Sequence, residues 1–163
     1  MLLLLKTKVM VKTFSVFIFI ALTAMAVNSA AVDFENYKWG ENFSLLKETV
    51  SQSKVKTHVS GKRIQYDDTI FGKKGRVCLY FTSGTEELAM ISIVWEEAFE
   101  PVDKLAKMFT SEYGTPQILK DYSENYIWDK AGIRLTSAFG QTKLYYLGGK
   151  YYTEFERERR KGM

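Results

Sequence analysis

His58 is the only histidine in this chain of 163 residues, and Cys78 is its only cysteine. Nucleophilic and metal chemistry therefore have few groups to draw on. Ser51, Ser53 and Ser60 lie near His58 in sequence, but neither a Gly-x-Ser-x-Gly elbow nor a defined acid partner accompanies them. A hydrolase with His58 as its base is therefore the weakest of the functional readings, and a surface histidine is the plainer one. One histidine and one cysteine do not fill the three or four ligand positions of a zinc site. Cys78 sits in the apolar run Arg76-Val77-Cys78-Leu79-Tyr80-Phe81, which reads as a buried strand carrying an inert thiol. The acid pairs Asp67-Asp68, Glu86-Glu87 and Glu96-Glu97 cannot converge on one reacting atom, because neighbours on a strand point to opposite faces. Neither a phosphate-cradling glycine loop nor a calcium loop is present. No catalytic residue, cofactor or metal is expected, and the protein reads as non-enzymatic.

Two features point to binding. Lys54, Lys56, His58, Lys62, Arg63, Lys73, Lys74 and Arg76 crowd into one stretch opposed only by Asp67 and Asp68. If the strands that hold them are neighbours, they form a basic face for anionic lipid headgroups, cell-wall polymers or an acidic protein. Ordinary edge protection and solubility is the competing explanation. The second feature is the aromatic content of the later half, in Tyr113, Tyr122, Tyr126, Trp128, Phe139, Tyr145, Tyr146, Tyr151 and Tyr152. These could line a ligand groove or simply fill a core. Tyr145 and Tyr146 must face opposite sides of a strand, so they cannot all be buried together.

The elements that must position these residues follow from periodicity and turn chemistry. Asn42 or Ser44 caps a first helix running to about Gln52, with Phe43, Leu46 and Val50 on one face. The alternation of Lys54 to Val59 predicts a half-exposed edge strand. Arg63 to Tyr66 forms a second short strand, and Gly72-Lys73-Lys74-Gly75 turns the chain into a third, Arg76 to Thr82. Ser83 to Glu86 turns it back into Leu88 to Trp95, which is apolar on both faces and so belongs at the centre of a sheet, covered by a helix on at least one side. Pro101 opens a second helix with an apolar stripe at Val102, Leu105, Ala106 and Phe109, and Asp103 and Lys107 pair along it. Gly114 caps this helix and Pro116 stops it. Strands follow at 117–122, 126–129, 133–139 and 143–147, and Gly148-Gly149 ends the sheet. The order, one helix and then a meander of short strands, is used twice. It predicts an α+β domain whose curved antiparallel sheet, of about seven or eight strands, packs on two helices.

The ends of the chain read differently. Lys6, Lys8 and Lys12 precede an uncharged run from Thr13 to Val32, apolar from Phe14 to Val27 and closed by Ser29, Ala30 and Ala31. That is the layout of a secretory signal. A span needs roughly twenty apolar residues, and the polar residues Thr13, Ser15, Thr23, Asn28 and Ser29 make this run a poor anchor. Cleavage follows Ser29 or Ala31, and a lipoprotein is rejected because no cysteine stands at either point. The expected division is a signal peptide at 1–31, a single domain at 32–150 and a charged tail at 151–163, either a frayed solvated helix or a docking segment. Residues 1–31 hold three of the 23 lysines and arginines and none of the 19 acids, so the exported chain carries a balance of only +1. That small surplus argues against nucleic acid as a partner, and the expected location is periplasmic or secreted.

Trp39-Gly40, Leu79-Tyr80-Phe81 with Leu88 across a turn, and Tyr113-Gly114-Thr115-Pro116 with Trp128 beyond together resemble a loose group of small exported bacterial proteins of unknown function. The segment Glu41-Asn42-Phe43-Ser44 departs from the helix start usual there. The resemblance implies no reaction. The residues as a whole favour an exported binding or adaptor protein for an envelope protein or an anionic cell-surface component, with a small-ligand or lipid carrier as the alternative.

Overall fold

Of the two expected caps, Asn42 is the one used: its side-chain oxygen accepts the Ser44 N–H at 2.9 Å, and α1 runs Phe43–Ser53. The structure, a computed structural model, describes residues 37–54, 57–96 and 102–161. The signal segment, Lys56 and Pro101 lie outside the described residues. The strand expected from Lys54 is corrected: Lys54 is the C-cap of α1, and the edge strand β1 is only His58–Val59. There follow β2 (Arg63–Ile70), β3 (Lys73–Phe81), β4 (Leu88–Trp95) and α2 (Val102–Tyr113). The second meander is β5 (Gln117–Lys120), β6 (Glu124–Trp128), β7 (Ile133–Ala138) and β8 (Gln141–Leu147). The chain closes with α3 (Lys150–Lys161).

The eight strands form one antiparallel sheet in the order β1-β2-β3-β4-β8-β7-β6-β5, open along β1 and β5. The α+β architecture is as the sequence predicts. Each helix-led half lays down its strands from the edge inward, and the halves join where β4 pairs with β8, Ile93 opposite Leu144. The strand apolar on both faces is thus central, with β3 on one side and β8 on the other.

Alternation assigns the two faces. The inner face carries Ile64, Val77, Leu79, Ile91, Ile93, Leu135 and Leu144, each 1% exposed or less, against Leu46 and Val50 of α1 and Phe109 of α2. Phe109 gathers Phe71, Tyr113, Trp128 and Tyr146 around itself at centroid distances of 5.6–6.4 Å. Asp103 does not turn to Lys107; its carboxylate accepts the Tyr126 hydroxyl at 2.9 Å and ties α2 to β6. The outer face carries α3 over β4. The tail is helical and anchored: the Glu158 carboxylate accepts the Ser83 N–H at 2.5 Å and the Gly84 N–H at 3.0 Å at the β3–β4 turn. None of its residues is fully buried.

Candidate functional site

The register divides the eight positions of the expected basic face. His58 stands opposite Gln65, Arg63 opposite Tyr80, Lys74 opposite Thr69 and Arg76 opposite Asp67, so these four share the outer face of the first meander. Lys73 pairs with Ile70, whose side chain faces the core, and so belongs to the inner side. Lys54, at the end of α1, bonds Asp68 at 2.6 Å. Lys62 bonds Glu86 and lies 4.9 Å over the Phe43 ring. Arg76 sits 3.8 Å from Asp67 and 3.1 Å from Glu96. Lys56 lies outside the described residues. Pairing in the structure thus takes up Lys54, Lys62 and Arg76, and Glu86 and Glu96, both outside the basic stretch, supply part of it.

His58 has no hydrogen-bonded carboxylate or serine among the described residues; the Ser53 hydroxyl turns to the Val50 carbonyl. No group of three or more His, Cys, Asp or Glu side chains is placed to hold a metal among the described residues. Cys78 is 4% exposed, and burial pushes its thiol up from the usual value. Between the helices and the sheet the inner-face side chains named above are buried.

The three short patterns of the sequence resolve into packing devices. The Trp39 ring lies on Gly148, where an added Cβ would meet it at 2.6 Å, and the Tyr151 ring lies on Gly40 in the same way at 2.4 Å. The pair Trp39-Gly40 thus interlocks with the start of α3, and only glycine at 40 and 148 admits the rings. Gly114 ends α2 at φ +83°, and its carbonyl accepts the Trp128 indole N–H at 2.8 Å. Phe81 pairs with Leu88 across a register shift and meets Phe43 edge-on at 5.1 Å.

What the fold leaves unexplained lies at one corner of the sheet. Glu124 is opposite Ser137, Ser137 opposite Thr142 and Thr142 opposite Trp95. The β5–β6 and β7–β8 turns therefore project from the same end, two strand spacings or about 10 Å apart. Tyr122 at the first is 95% exposed and Phe139 at the second is 94% exposed. On the adjoining edge, all four residues of β5 are exposed, Ile118 at 49% and Leu119 at 46%. The opposite edge, β1, has two residues only.

Phe139 is the most telling of the four. Phe139-Gly140 is a two-residue hairpin with both φ angles positive, +51° and +75°, a turn that favours Asn-Gly and charges other residues about 1 kcal/mol. Phe71-Gly72 has the same geometry, at +52° and +75°, but the Phe71 ring recovers the cost against Trp95 at 6.2 Å and Phe109 at 6.1 Å. The Phe139 ring recovers nothing of this kind among the described residues. Sequence reasoning placed Phe139 and Tyr122 among aromatics of undecided use and passed over Ile118 and Leu119. A phenylalanine before glycine in a hairpin was the available signal.

The other aromatics divide by face. Tyr126 and Trp128 are core, Tyr146 packs on Phe109, and Tyr145 and Tyr152 border an outer-face groove of about 650 Å³ beside α3. Compared with protein-family models, curated proteins and solved structures, the chain finds no match.

Proposed function

We propose that this is an exported, non-enzymatic binding protein whose recognition surface is the corner formed by β5, Tyr122 and Phe139, and whose partner is another envelope protein. The observation that carries the reading is Phe139, a large apolar ring held in a left-handed backbone with almost all of its surface in water. Strain of that kind persists where something outside the local contacts is served by it. Exposed aromatic anchors also supply most of the energy of protein interfaces. The β5 edge adds unpaired backbone groups and two aliphatic side chains, one on each face, which suits a partner strand.

Site-specific photo-crosslinking in intact cells tests this. A crosslinker at position 139 or 122 yields one discrete protein adduct, and one at Leu45, which is exposed on α1, does not. Phe139→Asn together with Tyr122→Asn abolishes the adduct formed from Ile118 while the protein stays folded. Adducts of equal yield from all positions, or an adduct with glycan or lipid in place of protein, would overturn the reading.

A further inference from the structure

α3 lies chiefly over β4, with Phe155 against Tyr80 of β3 at 6.1 Å. Beside it, the outer faces of β5, β6 and β7 present Leu119, Ile127 and Thr136. The result is a groove of about 650 Å³ with α3 as one wall and the sheet as its floor. That is within the range of small-ligand sites. Its apolar floor is Met90, Ile127 and Leu147, and its aromatic walls are Tyr145, Tyr152 and Phe155. Tyr152 and Phe155 are stacked with centroids 6.4 Å apart. All six are half-buried; the chain leaves this apolar surface neither packed nor fully open to water.

The charges are arranged at one side. Glu156 is held by Arg159, Nε donating to Oε1 at 3.1 Å and Nη2 to Oε2 at 3.0 Å, which cancels both charges. Arg134, exposed at the mouth, has no carboxylate within ion-pair distance among the described residues. Arg160 and Lys161 continue the positive field along an adjoining hollow that Arg134 also lines. Asn125 and Thr136 are already bonded to each other at 2.9 Å. A half-buried apolar trough with one uncompensated guanidinium at its mouth matches a molecule that is apolar along its length and anionic at one end.

We infer that the α3 groove binds an amphipathic anion, a single alkyl or aryl chain ending in a carboxylate or phosphate, with the head on Arg134 and the chain along Ile127, Met90 and Phe155. This site is on the opposite side of the sheet from α1 and α2. It does not rest on the protein-binding reading of the corner.

Titration of the exported chain with decanoate, decyl phosphate, decanol and decyltrimethylammonium, all kept below micelle formation, tests it by calorimetry and amide shifts. Decanoate or decyl phosphate, or both, saturate with shifts confined to the groove-lining residues of β3–β8 and to α3, and the head that binds identifies the source chemistry. Arg134→Gln weakens them about ten-fold or more. Ile127→Trp, which fills the trough, removes binding while the circular dichroism spectrum is unchanged. Equal affinity for the cationic amphiphile, unaltered affinity in Arg134→Gln, or no saturation by either anion would overturn the assignment. Crosslinking from position 139 in Arg134→Gln stays at the wild-type level, so failure here and failure at the corner are distinguishable.

Discussion

Replacing each of the two hairpin phenylalanines by asparagine should move stability in opposite directions. Phe71→Asn and Phe139→Asn make the same chemical change in the same turn geometry, φ near +50° followed by glycine at +75°. Asparagine tolerates that backbone, so each substitution relieves about 1 kcal/mol of strain. At 139 nothing is lost in exchange, because the ring is 94% exposed. The expected net gain is about 0.5–1 kcal/mol. At 71 the ring packs on Trp95 and Phe109. Truncating a fully buried phenylalanine costs about 3–5 kcal/mol, and a half-buried one about half of that. Subtracting the relieved strain leaves a net loss of about 0.5–1.5 kcal/mol. Urea unfolding at neutral pH, with the slope checked for constancy, measures both. In heat the two variants should part by several degrees, one above and one below the parent. A Phe139→Asn protein less stable than the parent would refute the claim that its strain goes unrecovered among the described residues, as would equal shifts at the two sites.

Glu158→Ala frees the two N–H groups at 83 and 84 and loosens α3. Two charge-assisted bonds at a half-exposed site amount to about 1–2 kcal/mol after discounting for solvent. Hydrogen exchange along α3 should then accelerate about 5- to 30-fold while the global transition hardly moves. Glu154→Ala, which loses only an exposed pair with Arg157 at 3.2 Å, should leave exchange almost unchanged. Gly148→Ala drives a methyl to within 2.8 Å of the Ala89 carbonyl and 2.6 Å of Trp39; an overpacking cost of about 1–3 kcal/mol in urea is expected. Trp128→Phe deletes the bond to Gly114 and should cost about 2 kcal/mol, seen as a lower urea midpoint. In alkali, burial raises the Tyr66 and Tyr146 phenols above their ordinary 10.0, and burial with the Glu112 bond pushes Tyr113 up to about 12. These groups stay protonated in the fold after the unfolded chain has ionised. Their contribution is complete below pH 10.0 and is lost as pH climbs toward the folded values. Urea midpoints should fall over that window, less steeply in Tyr66→Phe/Tyr146→Phe.

The sequence by itself determined every element whose cause is local. Asn42 capping α1, Gly114 ending α2, and the alternation that makes β4 apolar on both faces needed no distant partner to be read. The order of one helix and one meander, repeated, led to the α+β sheet for the same reason. The strand read from Lys54 failed because alternation over six residues cannot tell the start of a strand from the cap of a preceding helix. Tertiary structure alone decided which charges distant in sequence meet. Lys62 and Glu86 are 24 residues apart, and Asp103 chose Tyr126 over the lysine one turn away. It also decided which strands adjoin across the middle of the sheet, and so placed the turns of Tyr122 and Phe139 at one end. The charged tail is the plainest case. Its composition reads as solvated, and only the turn at Ser83-Gly84 and the bare face of β4 gave it a seat, making one wall of a groove. Local chemistry sets which backbone states are allowed, whereas distant pairing sets which surfaces remain uncovered, and the proposed sites lie on those surfaces.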